Sequence, residues 1–261
     1  MTGALTDRTA IVTGASQGIG EAVAWLFAEE GARLVLSETD DAAQPVAAAI
    51  AQRHPESDAV ALATDVTDQA SVELLVSTAL ERHGRLDVLA HATAIGQTKG
   101  PTTELDPAEW DQVMAVNAKG PFLLCRAALP VITSPGGAIV VTGSFAGEQG
   151  QPERAAYSAS KGALRLFTQG LAQEVAERGI RINGVAPAYV ESELGQRGLE
   201  TMAAAQGITV EQAQAKRDVT IPMRRQAEAR EVAQAFLYLV SDASTYVTGI
   251  WLDVNGGILL R

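Results

Sequence analysis

Tyr157 and Lys161 have the residue types and the spacing that acid–base chemistry on an alcohol requires. They lie four residues apart near the start of a predicted helix, so their side chains lie on one face of it. A free phenol has a pKa near ~10, and a nearby ammonium group stabilises the phenolate and lowers that pKa. Tyr157 is therefore predicted to exchange a proton with a substrate hydroxyl. Because tyrosine and lysine often occur at this spacing by chance, the pair needs support from the rest of the sequence.

Ser144 is the second candidate for chemistry. It follows the predicted strand Ala138–Val141, at the carboxyl end of a parallel sheet, where open α/β folds bind ligands. A hydroxyl at that place can orient a carbonyl or an alcohol and stabilise the charge that develops on its oxygen. Ser144 is therefore a candidate for contact with the reacting oxygen of a substrate.

The segment from Thr13 to Gly20 links the first predicted strand to the first predicted helix and contains three glycines. Glycine permits positive φ and lets a backbone approach a pyrophosphate closely, and the start of a helix offers free N–H groups and a positive dipole end. A plain strand-to-helix turn also uses one or two glycines, but the position in the first β-turn-helix unit favours a dinucleotide site. The predicted cofactor contacts in this loop are Gly14, Ser16, Gln17, Gly18, Ile19 and Gly20.

Two acidic residues follow at predicted strand ends. Glu38 lies 18 residues after Gly20, near the ~20 expected for an acid that binds an adenosine ribose. A carboxylate there repels a 2′-phosphate, and neither Gln17 nor the residue after Glu38 is basic, so the predicted cofactor is NAD. Asp65 is placed to bind the adenine amino group, with capping of the next helix as its alternative role. The alternative for Glu38 is a place in a solvated acidic run.

Strand and helix patterns alternate along the chain, which predicts an α/β fold: a doubly wound parallel sheet (Rossmann-like) in a single domain over residues 1–261. Residues 188–222 interrupt the alternation with glycines and short helical stretches, and we expect this insertion to bind the substrate. The predicted strands are Thr9–Val12, Leu34–Leu36, Val60–Ala63, Leu86–Ala90, Ala138–Val141, Ile180–Val185 and Ile250–Val254. The predicted helices are Gly20–Glu30, Asp41–Gln52, Asp68–His83, Pro107–Leu129 with a break at Gly120-Pro121, Ala155–Glu177 and Glu228–Val240.

Composition excludes several classes of protein. The 261 residues are 47% hydrophobic and 20% charged, which allows a large core. A net charge of −11 repels phosphate backbones and anionic surfaces, and no apolar run reaches the ~18 residues of a membrane span, so neither nucleic acid nor a membrane is an expected partner. Cys125 has no cysteine to pair with and the three histidines lack zinc-ligand spacing, so no metal is expected. The first residues lack the features of a secretory signal, which predicts a cytoplasmic protein.

Six motifs in the usual order and at the usual spacings resemble those of the short-chain dehydrogenase/reductase family over essentially the full chain. Six ordered motifs are far more specific than any one of them. The resemblance implies a nicotinamide-dependent dehydrogenase or reductase. The motifs are Thr13-Gly-xxx-Gly-x-Gly20, Asp65-Val66, Asn117-Ala-Lys-Gly120, Gly143-Ser144, Tyr157-xxx-Lys161 and Asn183-x-Val-x-Pro187.

By this resemblance Asn117, Ser144, Tyr157 and Lys161 form a catalytic tetrad. Tyr157 is then the general acid/base, and Ser144 holds the reacting oxygen. Lys161 binds the nicotinamide ribose and lowers the pKa of the tyrosine, while Asn117 fixes a water that relays protons from Lys161. The resemblance also implies cofactor contacts by Val66, Ala92, Pro187, Val190 and Ser192, the last against the nicotinamide amide.

The resemblance also carries an expected assembly. Members of this family often form tetramers through the last strand and the preceding helix, so a homotetramer is expected here. Trp251 in that strand is the aromatic residue of most interest for it. Trp110 and Phe122 are expected in the core or in an interface.

The sequence departs from the family pattern at two places. His91-Ala92-Thr93-Ala94 stands where the family commonly has Asn-Asn-Ala-Gly, and Pro187-Ala188 stands where it has Pro-Gly. Ala94 adds a Cβ where the backbone passes close to the cofactor, which predicts weaker or shifted binding. His91 is expected to be a structural hydrogen-bonding residue, since Tyr157 already supplies the acid/base.

The leading hypothesis is an oxidoreductase that transfers a hydride between NAD(H) and a secondary alcohol or ketone. The polar segments 145–154 and 188–222, expected to wall the cleft, favour a small polyol or sugar, although these side chains alternatively solvate surface loops. A 3-oxoacyl thioester reductase is the alternative substrate class and requires a basic patch around Arg197 or Lys216-Arg217 for an acidic carrier. A non-catalytic nucleotide-binding regulator is the other alternative, which the complete tetrad disfavours.

Overall fold

Seven strands lie parallel in one sheet in the computed structural model, which describes residues 3–259 with the exception of the side chain of Leu194. The strands are β1 (Thr9–Thr13), β2 (Arg33–Glu38), β3 (Val60–Ala63), β4 (Val88–His91), β5 (Ala138–Thr142), β6 (Arg181–Pro187) and β7 (Trp251–Val254). Their order across the sheet is β3-β2-β1-β4-β5-β6-β7. The direction of winding reverses between β1 and β4, so a crevice opens at their carboxyl ends.

Helices cover both faces of this sheet. They are α1 (Gly18–Glu29), α2 (Gln44–Arg53), α3 (Gln69–His83), α4 (Pro107–Met114), α5 (Gly120–Ala128), α6 (Ala155–Val175), α7 (Glu193–Gln206), α8 (Val210–Thr220) and α9 (Ala229–Val240). One hydrophobic cluster joins α1, α2 and α9 to the sheet, and includes Phe27 and Phe236. A second cluster joins α3, α5 and α6 to the opposite face, and includes Leu75 and Leu164. The predicted doubly wound α/β fold is therefore confirmed.

The helix predicted over 107–129 does not break at Gly120-Pro121. Instead α4 and α5 are joined by a π-helical turn at Ala115–Lys119, in which the Gly120 N–H donates to the carbonyl of Ala115. Pro121 lies in the first turn of α5, where a missing N–H costs little, so the helix continues through it. The irregularity therefore lies one turn earlier than predicted and coincides with Asn117.

The insertion at 188–222 forms α7 and α8, which pack together through a small cluster of Leu199, Ala203 and Ala213. Thr209 begins α8 with a capping box to Gln212. The insertion also approaches the glycine loop, since a Cβ built on Gly18 would lie 3.2 Å from the Cβ of Ser192. It therefore covers part of the crevice at the carboxyl edge of the sheet.

The side chain of Trp251, which the sequence singled out for its position in a strand expected to form an interface, is buried within the chain. Its side chain is 6% exposed and lies beneath Gly143 and Gly184. A Cβ on Gly143 would come within 1.9 Å of the indole, and one on Gly184 within 2.1 Å. Trp251 is therefore a core side chain, and it supports the turn that leads to Ser144.

Some features of the chain concern partners. None of the helices within residues 3–259 combines the length and the apolar composition that crossing a membrane would need. The same residues hold no group of three or more His, Cys, Asp or Glu side chains that could bind a metal ion. Cys125 is buried, and burial raises the pKa of its thiol to about 12.

Candidate active site

A cleft of about 280 Å3 opens at the carboxyl ends of β1, β4, β5 and β6. One end is formed by the glycine loop and the other by the insertion and the start of α6. The cleft brings together most of the residues predicted for the site. The predicted residues that line it are Gly14, Gln17, Gly18, Ile19, Gly20, Glu38, Ala92, Ser144, Tyr157, Lys161, Pro187, Val190 and Ser192.

The glycine loop needs its glycines for two different reasons. Gly14 and Gly18 have φ values of 66° and 58°, which L side chains rarely adopt. A Cβ on Gly20 would lie 2.0 Å from the Gly14 carbonyl oxygen, so this position tolerates no side chain. The loop ends in α1, whose first N–H groups point into the cleft end. This arrangement can hold a pyrophosphate against backbone N–H groups.

Glu38 ends β2 at the edge of the same cleft. Its carboxylate accepts hydrogen bonds from the Ser16 hydroxyl at 2.7 Å and from the Thr39 N–H at 2.9 Å. Arg33 stands at the opposite end of β2, five residues away, which is roughly 16 Å along an extended strand. Its guanidinium faces Asp7 at 3.8 Å. Arg33 is therefore unavailable to neutralise a phosphate beside Glu38.

Ser144, Tyr157 and Lys161 meet at the other end of the cleft. The Ser144 hydroxyl forms a hydrogen bond with the Tyr157 phenol. The Lys161 Nζ lies 5.7 Å from the centroid of the tyrosine ring and donates to the Thr142 carbonyl at 2.8 Å. Lys161 is 1% exposed, so the ammonium is enclosed by protein. The sequence spacing of Tyr157 and Lys161 thus does produce one shared face.

Burial sets the proton affinities of these groups. It raises the pKa of the Tyr157 phenol, while the Ser144 hydrogen bond and the charge of Arg154 lower it. Burial lowers the pKa of Lys161 to about 7, because the charged form loses its hydration. The phenol is thus mostly protonated at neutral pH, so the net lowering of its pKa that was expected beside Lys161 is not found. The Lys161 ammonium itself titrates close to neutral pH.

Asn117 lies in the π-helical turn and is fully buried. Its Oδ1 accepts from the Ile95 N–H and its Nδ2 donates to the Ile95 carbonyl, both at 2.9 Å. The same Nδ2 lies 3.2 Å from the Ser160 hydroxyl of α6. Pro121, four residues later, has no N–H to donate to the backbone carbonyl of Asn117. Asn117 therefore joins the segment after β4 to α6, and its carbonyl receives no α-helical hydrogen bond.

His91 has a structural environment. It is 1% exposed, and its Nδ1 lies 2.8 Å from the Thr13 hydroxyl of β1. Its carbonyl accepts from the Thr142 hydroxyl of β5 at 2.9 Å. Burial, with a smaller effect of the Lys161 charge, lowers the pKa of His91 to about 3, so the imidazole is neutral. These contacts tie three strands together beside the cleft.

The departures after His91 lie on the cleft itself. Ala92, Thr93 and Ala94 all line it. Their backbone packs against the glycine loop, because a Cβ on Gly14 would lie 2.8 Å from the Thr93 nitrogen. The alanine at position 94 therefore stands where the sequence placed it, beside the space for a cofactor.

Some predicted cofactor residues lie outside the lining of the cleft. The Asp65 carboxylate accepts from the N–H and the hydroxyl of Thr67, both at 2.8 Å. Val66 is 5% exposed and packs beneath Gly120. Ser16 binds Glu38 instead of facing the cleft. Asn117 also lies behind the lining, as a support for it.

Most of the polar side chains in segments 145–154 and 188–222, which were predicted to form the walls of the cleft, do not line it. Of the charged and amide side chains in the two segments, those of Arg154, Glu193 and Arg217 line the cleft among the described residues. The remaining wall includes Phe145 and Tyr189, whose ring centroids lie 5.9 Å apart. The substrate end is therefore aromatic and cationic.

Sequence reasoning missed several residues at this end. The Arg154 Cζ lies 5.6 Å from the Tyr157 ring centroid, and the Gln97 side chain accepts from the Tyr157 N–H at 3.1 Å. Arg154 precedes the tyrosine by three residues, a helical spacing that could have flagged it. Gln97 and Tyr189 carry no such local signal, because only the fold brings Gln97 to α6 and Tyr189 to the cleft.

The fold and the site define a dinucleotide-binding oxidoreductase. A family model described as "Enoyl-(Acyl carrier protein) reductase" matches residues 14–259. The chain belongs to the short-chain dehydrogenase/reductase family, as the six sequence motifs predicted.

Three relatives illustrate the range of that similarity. The chain is 38% identical over 260 residues to "Cis-4-hydroxycyclohexanecarboxylate dehydrogenase" of Sinomonas cyclohexanicum, covering 97% of each chain. It is 38% identical over 256 residues to "Monensin polyketide synthase putative ketoacyl reductase" of Streptomyces virginiae, again covering 97% of each. A solved structure described as "Short-chain dehydrogenase/reductase SDR:Glucose/ribitol dehydrogenase" from Brucella melitensis has a TM-score of 0.89, 32% identity and 100% coverage of both chains.

Proposed function

We propose that this protein is an NAD(H)-dependent oxidoreductase that interconverts a small secondary alcohol and its ketone. The observation that carries the proposal is the convergence of a phenol, a hydroxyl and an ammonium, from Tyr157, Ser144 and Lys161, at one end of a cleft. The other end of that cleft holds a glycine loop and a carboxylate at a strand end. The end with the glycine loop and the carboxylate suits the binding of a dinucleotide. The end with the phenol, hydroxyl and ammonium suits proton exchange with an alcohol during hydride transfer.

The residues present fit a nicotinamide dinucleotide. Gly14, Gly18 and Gly20 leave room for a pyrophosphate at the start of α1, since none of them tolerates an ordinary side chain. We assign the adenosine ribose to Glu38 and the nicotinamide ribose to Lys161. When bound, the cofactor accepts or donates the hydride. Asp65, Val66, Ala92, Pro187, Val190 and Ser192 remain predicted contacts.

The protein side of the reaction is a proton exchange. In alcohol oxidation the Tyr157 phenolate takes the hydroxyl proton while the carbinol hydride leaves, so a ketone forms and the phenol is restored. Ser144 donates a hydrogen bond to the same oxygen and stabilises its developing charge. Lys161 and the Asn117 carbonyl are proposed to restore the proton balance of Tyr157 through a water. Ketone reduction runs through the same groups in reverse.

NAD is preferred over NADP in this proposal. A 2′-phosphate carries close to two negative charges and would lie against the Glu38 carboxylate. No positive side chain among the described residues lining the cleft stands next to Glu38, and Arg33 lies at the far end of β2. Equal catalytic efficiency with both cofactors would contradict this part of the proposal, and Glu38→Ala is expected to weaken the preference.

The substrate alternatives differ in their support. A polyol or sugar is the second candidate, which the similarity to the glucose/ribitol dehydrogenase favours. A 3-oxoacyl thioester on an acidic carrier is less well supported, although one relative is named a ketoacyl reductase. Arg197 is paired with Glu193 and Arg217 is only 7% exposed, so Lys216 is the exposed cation that this expected patch retains. A non-catalytic regulator would have no need of the complete tetrad.

The proposal includes a cytoplasmic homotetramer acting on a small molecule. Exposed apolar side chains support self-association. Leu166 of α6 and Phe122 of α5 are 71% and 44% exposed, and Tyr246 and Ile250 beside β7 are 102% and 37% exposed. A tetramer requires more than one interface, and these two sets of side chains are the candidates for them.

The test is a screen of the purified protein for NAD and NADP reduction across polyols, sugars, secondary alcohols and hydroxyacyl thioesters. We expect turnover of a secondary alcohol with NAD and little with NADP. Tight NADH binding without turnover of any alcohol, or of any ketone in the reverse direction, would instead favour the regulator.

A further inference from the structure

Three cations gather at the substrate end of the cleft. Arg154 and Arg217 line it, close to Tyr157 and Tyr189. Burial lowers the pKa of Lys99, and the charges of Arg154 and Arg217 lower it further. Burial likewise lowers the pKa of Arg217, to which Arg154 adds its repulsion. The three charges therefore act on one another, in a chain whose net charge is −11.

Arg217 is held in a fixed position by neutral groups. It is 7% exposed, and one Nη donates to the Gln226 side chain at 2.6 Å while the other donates to the Gly195 carbonyl at 3.3 Å. Its Cζ lies 4.9 Å from the centroid of the Tyr189 ring. Its Nε is buried and has no hydrogen-bond partner, and the same is true of the Arg154 Nε. Two guanidinium N–H groups at this end thus have no partner.

The cluster also lacks a close counter-ion. Within residues 3–259, none of Lys99, Arg154 and Arg217 has a carboxylate oxygen within 4.0 Å. Two acids act from further away, Glu153 on Lys99 and Asp218 on Arg217. A buried guanidinium without a paired anion is costly for the fold, and a bound anion would remove that cost.

We propose that Arg217 and Arg154 bind a carboxylate of the substrate, so that the enzyme acts on a small hydroxy acid and on the matching keto acid. This rests on the proposed function, because it names the substrate class of the same cleft. Two guanidinium groups that line one end of the cleft can offer N–H donors to the two oxygens of one carboxylate.

The cleft wall between Ser144 and Arg217 indicates what part of the substrate lies between its hydroxyl and its carboxylate. Phe145 follows Ser144 in the chain, and its ring lies 5.9 Å from that of Tyr189, which in turn lies under Arg217. The path from the reacting oxygen to the guanidinium therefore runs along two aromatic rings. A hydrocarbon ring or short chain between the hydroxyl and the carboxylate suits such a wall better than a row of hydroxyls.

The first test compares linear and cyclic hydroxy acids with their neutral methyl esters in NAD reduction. At least one acid should exceed its ester about 100-fold in kcat/KM, and Arg217→Met should reduce turnover of the acid far more than turnover of the ester, so that most of that preference is lost. Lys216→Met is the matched control, because it removes the neighbouring exposed cation, and it should leave the preference intact. Equal rates for acid and ester, or an equal loss of both in Arg217→Met, would overturn the proposal.

A second test needs no turnover and uses calorimetry with the protein saturated with NADH. Cyclohexanecarboxylate should bind at least about tenfold more tightly than cyclohexanecarboxamide or cyclohexyl phosphate, with the difference lost in Arg217→Met and partly kept in Arg217→Lys. Tighter binding of the phosphate, or no preference over the amide, would refute the carboxylate site. Carboxylate binding without oxidation of any alcohol would refute the proposed function alone. If Arg217→Met does not fold, binding of the carboxylate, the carboxamide and the phosphate is compared between the unmodified protein and Arg154→Met. This comparison then tests the carboxylate site.

Discussion

Tyr157 is the group best placed for the proposed proton exchange, although burial raises its pKa. His91 is buried with a pKa of about 3 and is held by Thr13. Lys161 is buried with a pKa of about 7 and donates to a backbone carbonyl. The phenol alone combines a hydrogen bond to Ser144 with a place in the lining of the cleft. The acid/base role therefore rests on this residue.

Replacing Tyr157 by phenylalanine removes the exchangeable proton and preserves the shape of the ring. We expect turnover to fall by about 100-fold or more, the usual contribution of a positioned acid/base. NADH binding, followed by its fluorescence, should barely change, and this serves as the control for folding. Turnover near that of the unmodified protein would mean that another group moves the proton.

Arg154 should tune the pH dependence of the reaction. Alcohol oxidation needs the phenolate, so its rate rises as pH increases through the pKa of Tyr157, which burial raises and Arg154 lowers. Arg154→Met removes the lowering charge, so the rise should move to higher pH. The measurement is the pH profile of kcat/KM with cyclohexanol, a neutral alcohol that needs no carboxylate site. Lys216→Met should leave the profile in place, and an unmoved profile in Arg154→Met would contradict this role.

At the scale of elements, the sequence predicted strands and helix ends where local burial and local turns determine them. Every residue of β1 is buried, and its apolar centre Ala10-Ile11-Val12 is typical of a parallel strand covered on both faces. The ends of α1 and α3 follow from Gly31 and Gly84, which adopt φ values of 85° and 75°. The first turn of α5 was misread, because a proline in the sequence does not reveal whether it begins a helix or interrupts one.

The site was predictable where motifs carry it and unpredictable where helix rotation decides. Gly14, Ser144 and Tyr157 lie in the cleft as their motifs indicate. Lys216 and Arg217 are neighbours on α8, yet the first is exposed and the second is buried at the cleft. The sequence of α8 is polar nearly all round, so no apolar stripe indicates which side faces inward. That orientation comes from contacts with distant residues such as Gln226.

The pairing of β6 with β7 requires a residue without a side chain at position 184, opposite Trp251. A Cβ there would lie 2.1 Å from the Trp251 ring, so Gly184→Ala must displace the indole or the strand. We expect a loss of about 1–3 kcal/mol in the free energy of unfolding, measured by urea denaturation. Gly170→Ala is the matched control, because its Cβ would meet nothing within 4 Å on α6, and a gain of up to ~1 kcal/mol is expected. Equal stability of the two variants would contradict the buried position of Trp251.

At the scale of the whole molecule, charge and apolar surface are separated. The chain carries a net charge of −11, while the cations Arg154 and Arg217 lie inside the cleft. A net negative charge is expected to repel other polyanions at long range, whereas the enclosed cations act on an anion at short range only. Exposed apolar side chains include Leu166 and Phe122 on α6 and α5, and Tyr246 and Ile250 beside β7.

The exposed apolar face of α5 and α6 is expected to mediate self-association. Leu166 is 71% exposed, and Phe122 on the neighbouring helix is 44% exposed and contacts Phe167, so the face offers apolar area that a second copy could cover. Leu166→Glu would bury a charge in that contact, and we expect sedimentation to show a dimer where the unmodified protein is a tetramer, since the face beside β7 remains. Leu74→Glu alters an equally large leucine that is 54% exposed on α3 and should leave the tetramer intact. A tetramer that survives Leu166→Glu would exclude this face, and a monomeric unmodified protein would exclude both.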